Sequence, residues 1–139
     1  MRKRILPVFF VLATSWAWAQ NTEYLGNPDV SFLKARDMAF TGNREGARDT
    51  LLQILTKYPN YADVRNLLGK TYSWDGMYDK ARSEFNKVTS REPKNREAWM
   101  AAINNERYAG NHSIAMGLAN KALSRVPNDL ELMALRNKV

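Results

Sequence analysis

Beyond residue 28, apolar side chains recur every three or four positions, which is the period of a helix with one buried face. Leu51, Ile54 and Leu55 form one such stripe, as do Leu68, Gly69 and Tyr72. Tyr78, Ala81, Phe85 and Val88 form another, and Ala115, Leu118, Ala119 and Ala122 a leaner one. These stripes predict seams between paired helices, and the chain reads as all-α.

The breaks between stripes are themselves periodic. Gly42, Gly76 and Gly110 are 34 residues apart, and so are Ala47, Ala81 and Ala115, and Pro59, Pro93 and Pro127. Glycine accepts the left-handed backbone that ends a helix, alanine lets two helix backbones approach, and proline cannot continue a helix. Asn60, Asn95 and Asn128 follow the prolines and are expected to cap the next helix. Each unit is therefore helix, glycine turn, helix, proline break. Three copies span residues 28–61, 62–95 and 96–127, and a further first helix begins in 128–139.

Gly69, Tyr72, Gly76, Tyr78, Ala81, Phe85 and Pro93 resemble the signature of the tetratricopeptide repeat (TPR). The third copy matches through Trp99, Gly110, Ala115, Ala122 and Pro127, and the first through Ala35, Gly42, Ala47 and Pro59. Ser31 and Lys34 stand in the first copy where the pattern has large apolar residues, which predicts a loosely packed leading helix. The resemblance implies a TPR-type helical solenoid of three helix-turn-helix repeats plus a C-terminal half repeat.

A narrower likeness rests on Tyr72-Ser73-Trp74-Asp75-Gly76 followed by Tyr78-Asp79-Lys80-Ala81-Arg82. This segment is similar to the repeats that precede the β-barrel of YaiO-type outer-membrane proteins. The resemblance implies a periplasmic helical module attached to, or partnered with, a barrel. Nothing after Pro127 has the alternating ten-residue segments of a barrel. Leu130, Leu132, Met133 and Leu135 begin another first helix, readable either as a cap or as a piece of a longer protein.

The amino terminus suggests the compartment. Arg2, Lys3 and Arg4 precede an uncharged stretch, residues 5–18, and Ala17-Trp18-Ala19 offers small residues where a signal peptidase reads. This three-part pattern predicts a signal peptide over residues 1–19, with a disordered segment at 20–27. The 139 residues carry 21 Lys and Arg against 14 Asp and Glu, a formal charge of +7. Cleavage after Ala19 removes three basic residues and leaves 18 against 14, or +4, which does not call for a nucleic-acid partner. The mature chain is expected to hold no transmembrane helix and to reside in the periplasm, and with no cysteine in the sequence a lipid-modified amino terminus is not expected.

Candidate chemistry is sparse. With no cysteine and one histidine, His112, there is little material for a metal site or a histidine-based catalytic cluster, and no cofactor motif is present. Asp75 and Asp79 flank a turn, where carboxylates are expected to favour the positive end of the second helix. An enzyme is not expected.

A binding surface remains. In stacked helix pairs the first helix of each pair lines the concave side. Counted from Pro28, Ala62 and Arg96, the groove-facing positions hold Phe32, Arg36 and Phe40, then Asn66, Lys70, Ser73 and Trp74, then Met100, Asn104 and Arg107. Arg36, Lys70 and Arg107 suit carboxylates, while Phe40, Trp74 and Met100 suit an apolar side chain or a sugar face. TPR domains that clamp a peptide carboxylate use Lys, Asn and Arg at set positions. Phe32, Leu67, Glu97 and Ala101 occupy four of the five here, which argues against that mode. The expected function is a protein-interaction scaffold serving an outer-membrane barrel or another envelope protein. The alternative is a glycan-binding accessory of polysaccharide export.

Overall fold

The computed structural model describes residues 26–139. The expected signal peptide, residues 1–19, and most of the segment 20–27 lie outside the described residues. Among the described residues seven helices follow one another: α1 (Pro28–Phe40), α2 (Arg44–Lys57), α3 (Ala62–Trp74), α4 (Tyr78–Arg91), α5 (Arg96–Tyr108), α6 (His112–Arg125) and α7 (Leu130–Arg136). They pack as the antiparallel pairs α1–α2, α3–α4 and α5–α6, each stacked on the next, with α7 against α5 and α6. This is an all-α helical solenoid.

The helix boundaries have local causes. Gly42, Gly76 and Gly110 sit at φ +98°, +74° and +78°, the left-handed region a side chain would strain. At Gly76 the amide donates to the Ser73 carbonyl and the Met77 amide to that of Tyr72; Gly110 and Asn111 repeat the arrangement with Arg107 and Glu106. Two carbonyls left over at each helix end are thereby satisfied. The second helices stop at Tyr58, Glu92 and Val126, whose φ angles of −121°, −123° and −126° are those of a residue held out of the helical region by a following proline.

The capping asparagines behave unequally. Asn95 accepts a hydrogen bond from the Ala98 amide and caps α5 as expected. Asn60 and Asn128 do not cap. Tyr61 is the first cap of α3 and offers no side-chain bond, its hydroxyl donating instead to Asp29 across the pair. Asn128 adopts φ 64°, and Asp129 beside it accepts from the Glu131 and Leu132 amides. The turn before α7 therefore places its acceptor one residue later than the asparagine.

Three clusters make the core. Ala35, Ala39, Ala47, Leu51, Ile54, Val64 and Leu68 join α1, α2 and α3. Ala81, Phe85 and Ala102 bridge the second and third pairs. Trp99, Ile103, Ala115, Ala119, Ala122, Leu132 and Leu135 tie α7 to the third pair. The small residues Ala47, Ala81 and Ala115 are fully buried, so each admits its neighbouring helix closely. α1 buries only Ala35 and Ala39 and leaves Val30 and Leu33 exposed, the weak packing its Ser31 and Lys34 predict.

Polar side chains stitch the turns to the helices. The Trp99 indole donates to the Pro93 carbonyl at 2.8 Å, and Arg65, 34 residues earlier, donates to the Pro59 carbonyl while pairing with Glu84. An arginine thus does in the second copy what Trp99 does in the third.

Candidate partner-binding groove

The first helices α1, α3 and α5 lie side by side, α3 touching both of the others. Between them opens a cleft of about 310 Å³ lined by Phe32, Arg36, Phe40, Asp63, Leu67, Lys70 and Glu97. Lys70 crosses its width to pair with Glu97. Arg36 is exposed and takes part in no ion pair among the described residues, so its guanidinium is available beside three apolar side chains. Phe32 stacks on Tyr61 with ring centroids 6.0 Å apart, and the Tyr61 hydroxyl, bonded to the Asp29 carboxylate, is pushed up to about 12 in pKa.

Six of the residues expected in the groove do not line this cleft: Asn66, Met100, Asn104 and Arg107, the buried Ser73, and Trp74 at the rim. Asn66 is only 2% exposed, and neither its amide nitrogen nor its oxygen has a hydrogen-bond partner in the protein. It lies in the floor of α3, which has a helix on each side, rather than on the open surface. Met100 is half-buried and packs on the third-repeat core. Asn104 accepts from Arg107 at 2.8 Å, so these two engage each other along α5. Phe32, Arg36, Phe40 and Lys70 are the expected residues that the cleft gathers.

Trp74 reaches the cleft indirectly. Its ring lies 5.3 Å from that of Phe40, tilted by 53°, and the Arg44 guanidinium sits 5.9 Å above it. Phe40 is 69% exposed and Trp74 39%, and Tyr108 is 60% exposed at the same register of the third pair. These three aromatics are the last residues of α1, α3 and α5. Tyr108 escaped the sequence reading, although its 34-residue spacing from Trp74 is the signal that finds it. Large exposed aromatics at one register of successive repeats are unusual on a surface without a partner.

Behind this rim, arginines join one pair to the next. Arg44 and Arg48 both bind Asp75, at 2.9 and 2.6 Å, and Arg48 also donates to the Thr71 carbonyl. The Arg48 guanidinium above all, with Arg44, holds the Asp75 carboxyl below its usual range. Asp75 is therefore an inter-repeat ion-pair acceptor and not a cap of α4; Asp79, in the first turn of α4, pairs with Arg82. Arg82 also binds the buried Glu106. His112 is exposed at the start of α6.

Among the described residues no helix is long and apolar enough to cross a membrane, and no cluster of His, Asp and Glu could hold a metal ion. The tetratricopeptide repeat family profile matches residues 41–103. No curated protein matches the chain. Among solved structures, YrrB, described as a TPR protein with an unusual peptide-binding site, superposes with a TM-score of 0.72 at 22% identity over 84% of this chain. MamA superposes with a TM-score of 0.66 at 22% identity over 71%. The first TPR of Spaghetti (RPAP3), bound to the HSP90 peptide SRMEEVD, gives 0.69 at 15% identity, covering 80% of this chain and 88% of that one. The chain spans 59% of YrrB and 54% of MamA, little more than half of each. The fold is the TPR-type helical solenoid.

Proposed function

We propose that this TPR solenoid is an exported protein-interaction scaffold that holds an extended peptide segment of another envelope protein in its groove. The observation that carries the reading is the cleft between α1, α3 and α5, where Arg36 and Asp63, neither in an ion pair among the described residues, stand with Phe32, Phe40 and Leu67. An arginine at the edge of an apolar cleft favours a segment that places an acidic group next to a large apolar side chain, and Asp63 on the facing α3 steers that acidic group to the Arg36 side. The Phe40–Trp74 pair extends the apolar surface along the rim. Peptide binding by YrrB and by the Spaghetti domain supports the same use of the same fold.

The finer parts of the proposal rest on the sequence. Residues 1–19 act as a signal peptide, three repeats occupy 28–61, 62–95 and 96–127, and an outer-membrane barrel of the YaiO type is the partner or the remainder of the protein. Mass spectrometry of the exported product tests the first point: a chain beginning at Gln20 is expected, and an intact amino terminus overturns it.

Peptide and glycan arrays probed with the wild type and with Arg36→Ala and Trp74→Ala test the binding. Retention on peptides combining acidic and apolar residues, lost in Arg36→Ala, is the expected result. Retention on glycans alone, lost in Trp74→Ala, overturns the peptide reading in favour of a polysaccharide-export accessory.

A further inference from the structure

The second helices end on the edge of the solenoid opposite the aromatic rim. α2, α4 and α6 run in the same direction and carry Lys57, Arg91 and Arg125 in their last turns, again 34 residues apart. Lys94 stands in the turn before α5, and Lys121 one turn before the end of α6. All five are exposed.

Most of the nearby acids are engaged by other groups, Asp63 in the first turn of α3 being an exposed carboxylate with no ion pair among the described residues. Glu84 is held by Arg65 and by Lys87 at 2.8 Å, and Glu92 accepts from Asn95 at 2.8 Å. Arg96 takes both Asp129, at 2.6 Å, and Glu131. Among the described residues, none of Lys57, Arg91, Lys94, Lys121 and Arg125 forms an ion pair. Lys57 and Lys121 lean instead over the rings of Tyr58 and Trp99, at 6.0 and 5.9 Å. Compensation of the helix dipole accounts for a cation in a last turn, about half a charge at each helix. It does not account for Lys94 or Lys121, nor for the surplus that remains.

Two repeat-equivalent hollows lie along this edge. One of about 340 Å³ is lined by Pro59, Asn60, Arg65, Lys87 and Arg91, and one of about 660 Å³ by Glu92, Pro93, Lys94, Asn95, Ser124 and Arg125. Tyr58, partly exposed beside Lys57, adds an amphipathic ring of the sort that settles at a membrane interface.

We propose that this basic edge docks the solenoid on a bilayer rich in anionic phospholipid. The cations are long, solvated and spread over three helix ends, so they favour a dense field of mobile phosphates over one fixed ligand. This surface is separate from the groove, and the proposal stands whether or not the groove holds a peptide.

Sedimentation with vesicles tests it. The full chain and its Lys57→Glu/Arg91→Glu/Arg125→Glu variant are compared on vesicles of phosphatidylcholine alone and of phosphatidylcholine mixed with phosphatidylglycerol. Any binding by residues 1–25 is common to both proteins, so the difference between them reports the edge. Circular dichroism establishes that the variant keeps its helices; if it does not, the milder Lys94→Gln/Lys121→Gln variant replaces it. The expected result is at least roughly tenfold weaker binding of the variant to the anionic vesicles, with no difference on neutral ones. Equal binding of the two folded proteins to anionic vesicles overturns the proposal. So does a loss that appears only with a soluble acidic polymer such as polyaspartate, which would assign the edge to an acidic chain.

Discussion

A Cβ at Gly69 would lie 2.5 Å from Cε1 of Phe85, closer than any real side-chain contact. Phe85 is buried, so its ring has nowhere to move. Gly69→Ala is therefore expected to destabilise the protein by about 1–3 kcal/mol through overpacking. Urea unfolding checks it, and an unchanged midpoint would show that α3 and α4 can part at this point without cost.

Gly117 predicts the opposite sign. It lies within α6 with nothing inside 4 Å of an added Cβ and no left-handed backbone to protect. Gly117→Ala should stabilise by about 0.5–1 kcal/mol, because alanine loses less backbone entropy on entering a helix. A raised thermal midpoint is the expected reading.

Glu106 is 1% exposed and survives as a charge because of its neighbours. Burial pushes its carboxyl up, but hydrogen bonds from Arg82, Asn111 and Asn105, with the Arg82 charge, together hold it below its ordinary value. Removing the cation in Arg82→Met strands that charge and should cost roughly 3 kcal/mol. A carboxyl with a lowered folded-state pKa stabilises the fold above its unfolded value, near 4.5, and loses that contribution as pH falls through the folded value. The stability gap between wild type and Glu106→Gln should therefore narrow on acidification below about pH 4.5, as urea midpoints at several pH values will read.

Asn95 and Asn60 occupy similar places after a proline but differ in what they bond. Asn95→Ala removes the acceptor for the Ala98 amide and should cost about 1 kcal/mol. Asn60→Ala removes no cap of α3 and should stay within about 0.5 kcal/mol of wild type. Equal losses in thermal unfolding would contradict the assignment of Tyr61 as the cap.

The helices and their turns were legible because glycine and proline act on their own backbone. Gly76 needs only its φ, and Pro93 only the residue before it, so both speak from the sequence without tertiary context. The asparagine caps were less legible, since whether Asn128 or Asp129 meets the α7 amides depends on a turn geometry that both residues allow. Least legible was the traffic between repeats. Nothing local marks Asp75 as the acceptor for Arg44 and Arg48, or separates the sealed Asn66 from the open Arg36, because both outcomes depend on how closely neighbouring helices stack. Tyr108 is a different case, readable from spacing alone as the third member of the aromatic row.

The three junctions between successive units are clasped unlike one another. Arg48 and Arg44 meet Asp75 at the partly exposed rim, Arg82 meets Glu106 in the interior, and Arg96 reaches Asp129 and Glu131 at the other edge. In a stack where each unit holds only its neighbours, such differences set the order of unravelling. The outer clasps open to water first, so α1–α2 and α7 peel away while α3 to α6 stay closed around Glu106. Amide protons there would be the last to exchange.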